Sequence, residues 1–315
     1  MKWYVKSVIQ NAVAALPEAM SHRVYYGLQR RFGGLRDIDV EDKLRQGIEV
    51  ATTAAGEGLA VRGARVLEVG TGRRLNLPLS LWLQGAASVT TVDLNPYLRP
   101  ELVEEDLRQI RDERERVERL FGDRLDQDRL LQLLQLVDDF DLQRVLDTCA
   151  IRYLAPGDAT RLAALVDGSI DLHVSYEVFE HIPGPVLEGI LREGSRVISD
   201  RGLLVHYVDF SDHFSHSDAS IGPVHFLRFD EPTFRRIAGN RYMYMNRLRL
   251  DDFLALYARA DQSLLRQVST PDSDVERQLR DADVPLAPPF DQKPADVLST
   301  LNAWLVSRPA QRAAA

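Results

Sequence analysis

Five of the seven histidines in this 315-residue chain fall between His181 and His225, and most follow one strand-like run. An imidazole near neutral pH can take the proton that a hydroxyl must lose before its oxygen attacks an electrophile. Within His206-Tyr-Val-Asp-Phe-Ser-Asp-His-Phe-Ser-His216, His213 is the first candidate for such a base and His216 the second. His181, next to Glu180, is a third, with a structural role as its rival. His206 lies inside the strand and reads as a packed core residue. Asp209, Asp212, His213 and His216 could also offer oxygen and nitrogen ligands to a divalent ion that acidifies a hydroxyl. Their spacing matches no metal motif, and no metal is assigned.

A second constellation precedes it. Val66-Leu-Glu-Val-Gly-Thr-Gly72 is a short apolar strand running into a glycine turn, and a further strand ends on Asp93. Such a turn lets a ligand approach the backbone, and an acid at the next strand end can accept both hydroxyls of a ribose. Gly70, Gly72 and Asp93 fit those roles. The pattern suits a nicotinamide dinucleotide or S-adenosylmethionine, although the dinucleotide fingerprint wants glycine where Leu75 stands. Downstream, Arg228, Arg241, Tyr242, Tyr244, Asn246 and Arg247 form a basic, aromatic segment able to hold an anionic or ring-bearing molecule, with surface packing as the equal alternative.

The elements that must position these residues alternate. Strand signals at 66–69, 89–93, 151–154, 170–176 and 202–209 are separated by helical stretches beginning near Pro78 and running from Pro183 to Ile198, a pattern that implies a parallel sheet. After a helix over 250–260, the runs 263–269 and 301–307 lack room for a regular crossover and predict an antiparallel closing pair. Residues 100–150 are charged and amphipathic and read as two or three helices of an inserted cap over the acceptor. At the start, Val5, Val8, Ile9, Ala12, Val13 and Leu16 form one helical stripe expected to dock on the core, and Met20, Val24, Leu28 and Phe32 continue after Pro17. The division that follows is a helical segment over 1–60, a core over 61–99 and 151–315, and the cap over 100–150. The alanine-rich end is expected to fray.

Composition narrows the classes. Hydrophobic residues make up 45% and charged residues 27% of the chain, and no stretch approaches the roughly 20 apolar residues that span a bilayer. A net charge of -8 repels phosphate backbones and argues against nucleic acid. Cys149 stands alone, so neither a disulfide nor a multi-cysteine metal site forms within the chain, and the poor signal-peptide character around Lys2 and Lys6 adds to an expectation of a cytoplasmic protein. A homo-oligomer is left open.

In ordered motifs across 60–210 the chain resembles the class I S-adenosylmethionine-dependent methyltransferases. Val66–Gly72 looks like their first motif, Val92-Asp93 like the acidic end of their second strand, and Pro156-Gly-Asp-Ala159 like the turn that grips adenine. Ile170-Asp-Leu-His-Val-Ser-Tyr-Glu-Val-Phe-Glu-His-Ile182 is similar to the fourth-strand motif of the ubiquinone and menaquinone-biosynthesis type. The resemblance implies a Rossmann-like α/β fold, a seven-stranded, mostly parallel sheet with a reversed last strand, and S-adenosyl-L-methionine as cofactor. It assigns Glu68, Gly70 and Gly72 to the methionine part, Asp93 to the ribose hydroxyls, and Asp158 with Ala159 to adenine, with Thr71, Leu94 and Gly157 as further cofactor-binding positions. Tyr176 and Glu177 would line the mouth. Arg74 replaces the family's close glycine, and Arg73 or Arg74 could pair with the methionine carboxylate. The resemblance does not fix the substrate; the histidines favour oxygen methylation of a small molecule, a glycan, quinone-like ring or other metabolite, with nitrogen or carbon acceptors possible and a protein substrate open. Residues 175–178 read Ser-Tyr-Glu-Val and lack the Asn/Asp-Pro-Pro-Tyr/Phe signature of nucleobase amino methylation. A nicotinamide-dependent oxidoreductase and a non-catalytic binding protein of the same fold are the competing readings.

Overall fold

The computed structural model describes residues 1–36 and 39–310; the alanine-rich end lies outside the described residues. Seven strands, β1 (Arg65–Val69), β2 (Ser88–Val92), β3 (Ile151–Leu154), β4 (Ile170–Tyr176), β5 (Ile198–Asp209), β6 (Gln262–Val268) and β7 (Asn302–Pro309), form one sheet. Their order is β3-β2-β1-β4-β5-β7-β6. The first five are mutually parallel, and β7 runs antiparallel to both β5 and β6. Because β1 pairs with β2 on one side and β4 on the other, the strand order reverses there, and ligands of open α/β sheets bind at such a switch point.

Among the described residues thirteen helices accompany the sheet: α1 (Trp3–Ala14), α2 (Glu18–Phe32), α3 (Val40–Gly56), α4 (Asn76–Leu83), α5 (Pro100–Asp112), α6 (Arg114–Phe121), α7 (Gln127–Leu134), α8 (Leu142–Thr148), α9 (Gly184–Val197), α10 (Glu231–Ala238), α11 (Leu250–Arg259), α12 (Ser273–Arg280) and α13 (Ala295–Ser299). On one sheet face, α3 and α4 share a core with Val66, Val89 and Val174. Close approach of these two helices needs Gly47, where a Cβ would lie 2.5 Å from Ser80 Cβ. On the other face Leu187 and Leu191 of α9 and Phe253 and Leu256 of α11 cover Leu67, Val69 and Leu204. Helices on both sides explain why β1 is apolar almost throughout.

Residues 100–150 form the four helices α5 to α8. Leu107, Phe121, Leu133 and Val145 enter the same core as α3 and α4, so the inserted helices between β2 and β3 pack on the sheet's own core. A third cluster, with Phe214, Phe226, Phe234, Met243 and Phe290, roofs the carboxyl end of β5.

The N-terminal helix docks by an unexpected face. Ser7, Gln10 and Val13 are its buried residues, while Val8 is 67% exposed and Val5 and Ile9 are also exposed. Polar anchors decide the orientation: the Ser7 hydroxyl donates to Ile237 O at 2.7 Å and Asn11 Nδ2 to Arg236 O at 3.0 Å. Trp3 adds an aromatic wedge against Phe214, His225 and Phe229.

Candidate functional site

The glycine turn sits at the carboxyl end of β1, where Gly70 and Gly72 adopt φ of 96° and 66°. Gly70 N donates to Val92 O at 2.8 Å, and a Cβ on Gly70 would lie 2.5 Å from Val178 Cγ2. Only glycine fits between β2 and the loop after β4. Gly72 N donates to Asp93 Oδ2 at 2.9 Å and Asn95 N to Oδ1 at 3.0 Å, leaving each carboxylate oxygen a further lone pair for a hydroxyl. Burial raises the Asp93 carboxyl above its ordinary value despite these two bonds. Glu68 is 3% exposed, accepts from the Thr91 hydroxyl, and has its carboxyl pushed up to about 8 by burial, with the charge of Asp93 adding. Thr71 shares the Thr91 hydroxyl. A cavity of about 320 Å³ opens over Glu68, Gly70, Thr71, Arg73 and Tyr176.

The two arginines of the turn part ways. Arg74 also lines the cavity, but its guanidinium is engaged: it donates to Asp106, Glu105 and Leu102 O, which ties the turn to α5. Arg73 lines the cavity, its guanidinium 5.4 Å from the Tyr26 ring and 5.1 Å from that of Tyr97, with a buried Nη1 that has no partner. On the opposite side Gly157 N donates to Asp93 O at 2.8 Å, and a Cβ there would come within 2.7 Å of Leu154 O. The Asp158-Ala159 turn is thereby fastened to the end of β2. Asp158 accepts from Thr160 N and Oγ1, which hold its carboxyl below the ordinary value, and Leu94 extends beside Asp93 with 72% of its surface exposed.

At the ends of β4 and β5 the candidate histidines converge. His213 Nε2 donates to Asp209 Oδ2 at 3.2 Å, and His216 Nε2 lies 2.9 Å from Ser211 Oγ and 3.8 Å from Asp209 Oδ2. The His181 and His216 rings each stand 4.9 Å from that of His213. Burial alone would raise the Asp209 carboxyl, but the bonds from His213 and Ser211 win and hold it low. Glu177, in the left-handed region at φ 55°, donates its N–H to Tyr207 O at 3.0 Å. Its carboxyl is raised by burial and by Asp209 and Glu49, with Lys43 opposing. Tyr176 donates to Glu49 Oε2 at 2.8 Å. Asp212 does not join the group: it is buried, 3.4 Å from His225 Nδ1. His206 is fully buried, its Nδ1 2.8 Å from Ser175 Oγ, as expected of a core residue.

A family model described as a methyltransferase domain matches residues 137–206, from the turn before α8 to His206 on β5. That segment is set in a sheet of order 3-2-1-4-5-7-6 with a reversed β7, the mostly parallel arrangement that the resemblance implies. Over residues 137–206 the chain is similar to the methyltransferase domain. Among solved structures it is similar to geranyl diphosphate C-methyltransferase from Streptomyces coelicolor (12% identity, 95% of this chain and 88% of that one, TM-score 0.46). It is also similar to magnesium protoporphyrin IX methyltransferase from Synechocystis (13%, 96% and 99%, 0.46) and an S-adenosylmethionine-dependent methyltransferase from Clostridium acetobutylicum (10%, 91% and 98%, 0.45). Likeness at this level says nothing about the acceptor. A search of curated proteins finds no match.

Two further features of this chain come from residues far apart in sequence. An apolar cavity of about 400 Å³ lies against α1 and α2, lined by Ile9, Tyr25, Leu28 and Phe32, and it shares Gly34 with the cavity over the glycine turn. Lys6 reaches from α1 to His213 O at 3.5 Å and Ser217 Oγ at 3.2 Å. Neither is signalled by local spacing, because both depend on how α1 and α2 return over the sheet edge. Conversely, three residues of the basic, aromatic segment before α11 brace the fold. Arg247 donates to Phe226 O and Phe229 O, Asn246 to Phe179 O and Ile182 O, and Tyr242 stacks on Tyr25 at 3.8 Å. Among the described residues, no helix is long and apolar enough to cross a membrane.

Proposed function

We propose that this methyltransferase transfers a methyl group to an oxygen of a small, apolar-bodied acceptor, holding the cofactor over Gly70–Gly72 and the acceptor against α1 and α2. The observation that carries the reading is the Asp93 carboxylate, locked by Gly72 N and Asn95 N at the β1/β2 edge beside a cavity lined by Arg73, whose buried Nη1 has no hydrogen-bond partner. These residues fit the cofactor: Asp93 for the ribose hydroxyls, the free Arg73 Nη1 for the methionine carboxylate, Glu68 for the ammonium, and Leu94, Gly157, Asp158 and Ala159 for adenine. Bound there, S-adenosylmethionine supplies an activated methyl group. Tyr176 and Glu177 stand between cofactor and acceptor.

The chain's own work is positioning, water exclusion and proton removal. His213 gives its Nε2–H to Asp209, which leaves Nδ1 with a lone pair able to take the hydroxyl proton as the oxygen–carbon bond forms and the sulfur–carbon bond breaks. The resulting imidazolium is held by the Asp209 carboxylate. His216 and His181 stand in reserve around it. The apolar cavity favours an acceptor with a hydrocarbon or ring body, and the net charge of -8 disfavours a polyanion.

Calorimetric titration with S-adenosylhomocysteine and separately with NAD, with Asp93→Ala as control, tests the cofactor half. Binding of S-adenosylhomocysteine alone, weakened in Asp93→Ala, is expected; binding of NAD alone would overturn the reading. For the acceptor half, turnover with an identified acceptor should fall about 10²–10⁴-fold in His213→Gln. Unchanged turnover in both His213 and His216 variants removes the base assignment.

A further inference from the structure

Glu180 is the least explained side chain near the acceptor. It lies in the single 3-10 turn Phe179–His181 after β4, is 2% exposed, and neither of its carboxyl oxygens has a hydrogen-bond partner. A buried carboxyl without a partner is costly, so its position calls for something that meets it. What surrounds it is a set of metal-ligand types. Glu180, His181 and His213 bring their ligating atoms within 4.8 Å of one another, and Asp209, His213 and His216 do the same, with His213 common to both.

The orientations suit ligation. His181 donates Nδ1–H to Tyr244 O at 2.8 Å, which leaves the Nε2 lone pair 3.9 Å from Glu180 Oε1. Metal-bound histidines ordinarily show this arrangement, one nitrogen on the metal and the other fixed by a carbonyl or carboxylate. Donors bonded to one ion at about 2.1 Å stand roughly 3.0–3.4 Å apart, and Asp209 Oδ2 is 3.2 Å from His213 Nε2 and 3.8 Å from His216 Nε2. Asp209, His213 and His216 thus stand within a few tenths of an ångström of ligand spacing, whereas His181 Nε2 and Glu180 Oε1, 3.9 Å apart, close on the ion by a larger side-chain shift. The two halves come from different loops, after β4 and after β5, and parallel register between those strands holds them side by side.

We infer that Glu180, His181, Asp209 and His213, with His216 at the open edge, form a binding site for one divalent transition-metal ion. Two carboxylates with two or three imidazoles select manganese, iron, cobalt or zinc over magnesium and calcium, which take oxygen ligands. An ion there supplies Lewis acidity toward an oxygen brought beside it, with His213 ligating through Nε2 while its Nδ1 still faces away from the ion. Metal binding itself does not rest on the methyl-transfer reading.

The test is titration of the chelator-treated full chain with Co²⁺ alone, followed by its visible absorption bands. One Co²⁺ per chain is expected, with bands of nitrogen–oxygen coordination that Zn²⁺ abolishes and equimolar Mg²⁺ leaves intact. Glu180→Gln and His213→Ala should each weaken binding at least about tenfold, since loss of even an outer-shell partner costs 10–100-fold. Because Glu180 is buried, circular dichroism accompanies each variant, and the half-exposed His216→Ala, expected to alter the band intensities, serves if Glu180→Gln unfolds. No binding at millimolar Co²⁺, binding retained in full by the folded variants, or displacement by equimolar Mg²⁺ would each overturn the inference. S-adenosylhomocysteine titration of the same samples reads the cofactor site separately, so failure of one reading is distinguishable from failure of the other.

Discussion

Replacing Glu68 by glutamine should remove a proton that cofactor binding otherwise expels. Burial pushes the Glu68 carboxyl up to about 8, so at pH 7 it is protonated about nine times in ten. The ligand's α-ammonium, brought into the cavity that Glu68 lines, favours the carboxylate, and the proton must leave as the ligand enters. Affinity for S-adenosylhomocysteine should therefore rise with pH, close to tenfold per unit well below pH 8 and flattening above it. Between pH 6 and pH 8 the gain is about fifty-fold, or about 2.3 kcal/mol. Calorimetry at pH 7 in buffers of different ionisation enthalpy should show about 0.9 proton released per ligand bound, starting from that carboxyl value of about 8. Glu68→Gln keeps the shape and the Thr91 contact but cannot ionise, so its affinity should be nearly flat over the same range. Proton release that persists undiminished in Glu68→Gln, or its absence from the wild type, refutes the reasoning.

The two arginines of the turn should separate cleanly. Arg73→Ala is expected to weaken S-adenosylhomocysteine by about 1.5–3 kcal/mol in calorimetry with the melting temperature little changed, whereas Arg74→Ala, which strands the buried Asp106, should cost about 3–5 kcal/mol of stability in urea unfolding. Gly157→Ala, whose Cβ would press on Leu154 O, should destabilise by about 1–3 kcal/mol and weaken cofactor binding, read by melting temperature and titration. His173 is fully buried, and burial pulls its imidazole down to about 4. The unfolded chain takes up that proton below about pH 6.5, so this stability is complete above that pH and is lost as pH falls toward 4, about 3 kcal/mol in all. Urea unfolding of His173→Leu at pH 7 and pH 5 should show a smaller loss between the two than the wild type.

The parallel sheet was legible because strands covered on both faces are short apolar runs with glycine or acid at their ends. β3 and β4 fall where read, and β7, with its reversal, fits the run at Trp304. The start of β5 was placed late because Ile198 passes straight from α9 into the strand, with no turn residue to mark it. α3 merges into the helical segment expected over 1–60 and is not delimited there, although Asp39 caps it, since Gly47, Ala51 and Ala54 on its buried face are small and make a faint stripe. The stripe on α1 misled for the opposite reason. Its six apolar positions are real, but docking follows Trp3, Ser7 and Asn11, whose partners lie more than 200 residues away. At the site, residues whose role depends on a local turn, such as Gly70, Gly72 and Asp93, could be found by spacing. Arg73 over Arg74, the reach of Lys6, and the gathering of Glu180 with His213 are set by packing between distant elements.

The antiparallel insertion of β7 has a consequence for biosynthesis. Asp209 pairs with Asn302, Phe210 N donates to Leu301 O, and Arg249 bridges the carbonyls of Phe210, Leu298 and Thr300. The strand that pins the histidine loop leaves the ribosome some ninety residues after Asp209, on the order of 5–20 s later at ordinary elongation rates. Until then the nascent chain can form the glycine turn and the parallel half of the sheet, while the segment carrying His213 and His216 has nothing to close against.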